Sequence, residues 1–162
     1  MMTEADAWRV LKDVPDPEIP AISVCELGIV REVRTAGASV TVVVTPTYSG
    51  CPATELIAQS IRDALAGAGA GEVTIETRLA PAWTTDWIDP AAAQRLKACG
   101  IVPPPARATD GAQTIHVIPR ALPCPRCGSR RTTRLAEFGS TACKALWRCE
   151  DCREPFEYFK PH

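Results

Sequence analysis

A chain of 162 residues and 17.4 kDa, 46% apolar and 23% charged, has room for one medium domain or two small ones and can pack a core. The acidic start Met1-Met2-Thr3-Glu4-Ala5-Asp6 is followed by no apolar run of signal-peptide length, and no stretch approaches the roughly 18–20 apolar residues that cross a bilayer. A cytoplasmic protein without a membrane partner is expected, its eight cysteines serving as ligands or reactive thiols rather than disulfides. The net charge of −1 is unevenly spread: 9 Lys+Arg against 14 Asp+Glu in residues 1–119, and 9 against 5 in residues 120–162. Four metal-bound thiolates and a divalent ion would cut the C-terminal excess to about +2. That is too little for an electrostatic grip on nucleic acid, which otherwise rests only on Arg130, Arg131, Arg134 and their neighbours.

Helical spacing opens the chain. Thr3 is placed to cap, Asp6 stands three residues on as in a capping box, and Trp8, Leu11 and Val14 share a face. The run Val14-Pro15-Asp16-Pro17-Glu18-Ile19-Pro20 stops that helix, because proline lacks the N–H donor and restricts the residue before it. From spacing alone, Asp16 and Glu18 in this loop can cap, chelate or simply be solvated. Residues 29–34 and 39–45 read as a hairpin around Gly37, and residues 72–79 as a third strand with clean alternation. Between them, Ile57, Ile61, Ala64 and Leu65 mark one face of an amphipathic helix over 52–68. A last helix starts at Asp89 and Pro90 and ends at Gly100. Pro103-Pro104-Pro105 and the polar residues through 112 read as a linker. Beyond it, 114–118, 131–138, 145–148 and 156–159 are expected strands.

Two constellations carry chemistry. Cys124-Pro125-Arg126-Cys127 and Cys149-Glu150-Asp151-Cys152 are two Cys-x-x-Cys pairs separated by 21 residues. Each pair can form a knuckle aiming two sulfurs at one ion, and the intervening segment is long enough for a hairpin that brings the knuckles together. Four thiolates suit Zn²⁺, although the same donor set also holds iron–sulfur clusters. Cys143 is a surplus thiol with three readings open: packing, a partner-facing thiol, or an alternative cluster ligand. Cys25 and Cys99 are assigned to the core.

The second constellation centres on Cys51, in Thr45-Pro46-Thr47-Tyr48-Ser49-Gly50-Cys51-Pro52 between a strand and a helix. Pro52 at a first helical position would make Cys51 the N-cap, where free amides and the helix dipole favour a thiolate; the alternative is an inert buried cysteine filling a turn. His116 and His162 are the only histidines, and neither is identified as a catalytic base. No phosphate loop or dinucleotide fingerprint is present, so an autonomous enzyme is not expected. Trp83 and Trp87 flank the loop after the third strand, either as packing on the sheet or as a docking surface.

The stretches Asp16-Pro17-Glu18-Ile19-Pro20, Glu26-Leu27-Gly28-Ile29-Val30 and Thr45 to Pro52 resemble the small α/β domain of iron–sulfur assembly proteins, a family that includes SufT-type bacterial factors and the eukaryotic cytosolic iron–sulfur targeting subunit. With Pro81-Ala82-Trp83-Thr84-Thr85-Asp86-Trp87-Ile88, Gly100-Ile101-Val102-Pro103-Pro104, the segment Phe138 to Ala145 and the segment Glu154 to Lys160, nearly the whole chain resembles the D-subunit family of phenylacetyl-CoA epoxidase systems.

The resemblance implies an α+β fold. A small α/β sandwich with a three-stranded sheet and packed helices, over 1–102, would be followed by a linker at 103–112 and a Cys₄ zinc-ribbon β domain at 113–162. It also implies a non-catalytic accessory or maturation subunit in phenylacetate catabolism, with the reductase and oxygenase subunits as partners. Cys51 matches the family's reactive cysteine handling a transient iron or iron–sulfur species, Asp16 and Glu18 its acidic motif, and Cys124, Cys127, Cys149 and Cys152 its metal ligands. A structural or electron-transfer subunit whose Cys₄ site holds iron is the alternative.

Overall fold

A computed structural model describes residues 1–104 and 120–161. The expected strand at 114–118, His116, His162 and most of the expected linker lie outside the described residues. Contacts divide the chain into two units, Met1–Trp83 with Trp87–Asp89, and Thr84–Asp86 with Pro90–His162.

In the first unit, α1 (Glu4–Leu11) begins with the capping box expected of Thr3 and Asp6: the Asp6 amide donates to Thr3 Oγ1 and the Thr3 amide to Asp6 Oδ2, each at 3.2 Å. The helix buries Ala7 and Leu11, while Trp8 is half-buried. Strands β1 (Val30–Ala36) and β2 (Ser39–Val44) form an antiparallel hairpin, turned at Gly37 with φ +64°. Helix α2 (Thr54–Gly67) carries the chain to β3 (Glu72–Thr77), which pairs with β2 in parallel. A parallel pair needs such a crossover, and the helix supplies it.

The sheet order is β1-β2-β3. Ile61 and Leu65 of α2 and Val40 and Val42 of β2 are almost wholly buried, each side chain contributing roughly 1.5–3 kcal/mol. Glu32, Arg34, Glu76 and Arg78 form an ion-pair network across the strands, and Val43, in register between Glu32 and Glu76, is fully buried.

The second unit holds α3 (Pro90–Ala98) and a four-stranded sheet of order β4-β7-β6-β5, made of β4 (Ile101–Val102), β5 (Thr132–Ala136), β6 (Lys144–Cys149) and β7 (Pro155–Phe159). Its core includes Val102, Leu122, Cys124, Ala145, Trp147, Cys149, Phe156 and Tyr158. The placement of α3 and β4 differs from a first domain of 1–102. Ile101 and Val102 register with Glu157 and Tyr158 of β7, a pairing made 56 residues along the chain and unmarked by local pattern. Among the described residues, no helix is long and apolar enough to cross a membrane.

Candidate functional site

Cys51 lies in the loop after β2, at the carboxyl end of a parallel strand pair, where α/β sheets collect their ligands. Its amide donates to Tyr48 O at 3.2 Å, and its carbonyl accepts from both the Thr54 amide (3.2 Å) and Thr54 Oγ1 (2.8 Å). Helix α2 therefore starts at Thr54 with Ala53 at the N-cap, and Cys51 is not the cap.

The electrostatics follow from that placement. Partial burial pushes the Cys51 thiol up, and the carboxylates of Glu18 and Asp16 add to the effect, against lowering by the Ala53 amide and Thr54. The expected depression of the pKa does not occur, because burial and two acidic side chains from a loop distant in sequence outweigh the Ala53 amide and the Thr54 side chain. The carboxylates of Asp16 and Glu18, singled out from sequence, are thus within electrostatic reach of the Cys51 thiol.

Asp16 and Glu18 have different tasks. Asp16 is 3% exposed, and its Oδ1 accepts from the amides of Glu18 (2.9 Å) and Ile19 (2.8 Å), which fixes the loop. Glu18 is half-buried and acts on the Cys51 thiol. Among the described residues, the three do not form a compact ligand cluster, since the only group of three or more such side chains in ligand proximity is the four ribbon cysteines. The arrangement is one thiol with carboxylates in electrostatic reach, not a closed metal cage.

The Glu26-Leu27-Gly28-Ile29 turn supports this end of the sheet. Ser23 and Glu26 cap one another, with the Ser23 amide donating to Glu26 Oε2 at 2.8 Å and the Glu26 amide to Ser23 Oγ at 3.2 Å. Buried Trp83 donates Nε1–H to Leu27 O at 3.0 Å, and the Arg31 guanidinium stacks on Trp87 at 3.6 Å. Both tryptophans are thus engaged in packing. Gly28 as a packing constraint escaped sequence reasoning; its place in a Leu-Gly turn ahead of a strand was the available signal.

In the second unit, the Sγ atoms of Cys124, Cys127, Cys149 and Cys152 lie within 4.8 Å of one another. Cys124 and Cys152 are 3.7 Å apart, and Cys127 and Cys149 3.6 Å, far beyond a disulfide bond. A tetrahedron with metal–sulfur bonds of about 2.3 Å has edges of about 3.8 Å, so this spacing fits a single ion. Gly128 (φ +75°) and Arg153 (φ +64°) turn the chain after the two knuckles.

The thiols titrate unequally. The amides of Cys152 and Asp151 help lower Cys149 to about 7. The Glu154 amide is the strongest influence on Cys152 and lowers it, yet burial and the three adjacent sulfurs together push it up to about 12. Four crowded sulfurs do not all ionise unaided, and a divalent cation would supply the missing charge.

Cys143 is buried with its Sγ 3.0 Å from Thr141 Oγ1, and it is not part of the four-sulfur group. Cys25 is half-buried, its thiol pushed up to about 11 chiefly by burial, and Cys99 is exposed, so neither fits a simple core assignment. Cys99 follows the last residue of α3, where the apolar face of the helix has already ended.

Comparison with known proteins matches both halves. A family model described as iron–sulfur cluster assembly protein matches residues 4–77, and one described as PaaD zinc beta ribbon domain matches residues 108–160. A domain of unknown function (DUF59) from Bacillus anthracis aligns with TM-score 0.54 at 23% identity, over 57% of this chain and 90% of that one, which supports the fold. A conserved hypothetical protein from Thermotoga maritima aligns with TM-score 0.51 at 27% identity, over 59% and 94% of the two chains.

The class defined by fold and site is therefore an iron–sulfur-assembly-type α/β domain joined to a four-cysteine β ribbon. A 35% identical relative over 98 residues, covering 59% of this chain and 92% of its own, is an Fe-S protein maturation auxiliary factor of Porphyromonas gingivalis. Over 96% of this chain and 91% of the relative, identity reaches 48% with the putative 1,2-phenylacetyl-CoA epoxidase D-subunit of Escherichia coli K12, and the chain belongs to that D-subunit family.

Proposed function

We propose that this protein is a non-catalytic accessory subunit of a phenylacetyl-CoA epoxidase system in phenylacetate catabolism, serving in the cytoplasm to load iron or an iron–sulfur species into the reductase or oxygenase subunit. The observation that supports this reading is the electrostatic influence of Glu18 and Asp16 on the Cys51 thiol, in the loop after β2. With like charges beside it, the thiol stays protonated until a cation arrives. Cation binding then offsets the repulsion and favours loss of the proton from Sγ. An open, one-thiol site holds its cargo loosely, as a delivery step requires.

The ribbon's Cys124, Cys127, Cys149 and Cys152 would hold Zn²⁺, which supplies the cross-link that a small β module needs to stay folded. The 3.6–3.7 Å sulfur spacings also admit a single iron, which would make the ribbon an electron-transfer element. Visible absorption of anaerobically purified protein separates the two: a colourless zinc-bearing sample supports the first, an iron chromophore the second. The maturation role is tested by replacing Cys51 with serine and measuring the iron acquired by each partner subunit.

A further inference from the structure

The loop joining β5 to β6 exposes Phe138 with 63% of its surface free, yet it is unusually well secured. Lys144, only 2% exposed, pairs with Glu157 at 2.9 Å through Oε2, while Glu157 Oε1 accepts the Ser140 amide at 2.7 Å. Gly139 donates its amide to Lys144 O at 2.7 Å, and a Cβ on it would stand 2.6 Å from Glu157 Oε1. Lys160 closes the far side: its amide donates to Cys143 O at 2.9 Å, its Nζ donates to Glu137 O at 3.2 Å, and that ammonium lies 4.4 Å from the centroid of the Phe138 ring.

Sealing a lysine in the interior is a poor route to stability, and here the Lys144–Glu157 pair, with the Ser140 amide on Glu157, ties the loop to β7 in one conformation. Here the conformation specified is that of a surface loop whose most prominent group is an aromatic ring held out to solvent. A rigid aromatic loses little entropy when it docks, which is why such rings dominate binding energy at protein interfaces. The charge beside it indicates what it meets. Arg134 is neutralised by Glu137 at 2.7 Å, whereas Lys160 has no carboxylate partner among the described residues.

We infer that Phe138 and Lys160 form a docking point for a different protein presenting an apolar pocket with an acidic rim. The inference rests on the accessory role proposed above and takes the reductase or oxygenase subunit as that protein. A second copy of the chain is the competing occupant, since residues 1–83 carry 11 Asp+Glu against 6 Lys+Arg, and sedimentation of the chain alone tests it.

The test uses the full metal-loaded chain and each purified partner subunit, with binding followed by calorimetry. Phe138→Ala is expected to weaken binding roughly 10- to 100-fold, with metal content and thermal unfolding unchanged. Lys160→Met should flatten the salt dependence of the affinity. Gly139→Ala, which displaces Glu157 while leaving the ring in place, should weaken binding to a lesser degree. Unchanged affinity in Phe138→Ala, binding of the wild-type chain to neither subunit, or an effect confined to self-association in sedimentation would each overturn the inference. Cys51→Ser keeps the two proposals separable: normal binding with failed loading supports the maturation role whatever Phe138 does, and normal loading refutes that role without touching the docking point.

Discussion

Gly28 and Trp87 meet too closely for any side chain at position 28. A Cβ there would stand 2.6 Å from Trp87 O and 2.7 Å from Trp87 Cβ, and Gly28 has φ +74°. This contact, the Trp83–Leu27 hydrogen bond and the Asp89 amide donated to Glu26 O at 2.8 Å hold the 26–29 turn. The next residue, Ile29, accepts the Thr45 amide at 2.8 Å, where the Cys51 loop begins. Gly28→Ala combines backbone strain with overpacking and should cost roughly 2–4 kcal/mol. Denaturant unfolding of the full chain measures it, and a loss below about 0.5 kcal/mol would be within the range of an ordinary surface substitution.

The Cys51 thiol is pushed up by burial, then by Glu18 and Asp16, so it should be protonated at neutral pH. Because the folded state holds that proton more tightly than the unfolded chain, folding loses stability as pH rises from the ordinary thiol range toward the raised value. Alkylation of Cys51 by iodoacetamide, followed by peptide mass spectrometry, should be slow at pH 7 and accelerate only above the ordinary thiol range. Glu18→Gln removes one like charge and should speed alkylation at pH 7. An equal or slower rate would show that the carboxylate does not govern the thiol.

Removal of the ribbon's metal should unfold the second unit and leave the first folded. Cys124 and Cys149 are both part of the second unit's core, so ligand disorder reaches directly into that packing. The first unit draws its core from α1, α2 and its own sheet. Chelation followed by two-dimensional amide NMR should collapse the resonances of 120–161 while those of 1–83 keep their dispersion. Survival of the ribbon resonances without metal would contradict a structural role for the ion.

The two knuckles differ at the residue that turns the chain back. Gly128 takes its positive φ at no steric cost, while Arg153 holds the same region with a side chain. Gly128→Ala should therefore destabilise the metal-loaded ribbon by about 1–2 kcal/mol. Arg153→Gly should be neutral or slightly stabilising, because relief of strain offsets the greater freedom of the unfolded chain. Thermal unfolding of the loaded protein compares them, and the opposite ordering would count against this reading of the knuckles.

Features made by neighbours in sequence were legible before the fold was known. The Thr3–Asp6 box, the turn at Gly37, the apolar face of α2 and the two cysteine pairs each depend on residues a few positions apart. The properties that escaped depend on distant groups. The N-cap reading of Cys51 assumed a helix beginning at Pro52, whereas it begins at Thr54. The sign of its pKa shift is decided partly by Glu18, 33 residues away in the sequence. Likewise, Ile101–Val102 reads as the tail of the first domain until β7 supplies its partner. The ion pair of Lys144 and Glu157 joins two strands and has no local signature.

The central claim is that Cys51 carries iron or an iron–sulfur species to a partner, and its most direct measurement is the iron content of the reductase and oxygenase subunits produced with wild-type protein or with Cys51→Ser. Cys51→Ser is expected to keep its fold and its ribbon metal yet leave one subunit under-loaded by several-fold. Full iron occupancy of both subunits alongside the folded, metal-bearing variant would contradict it.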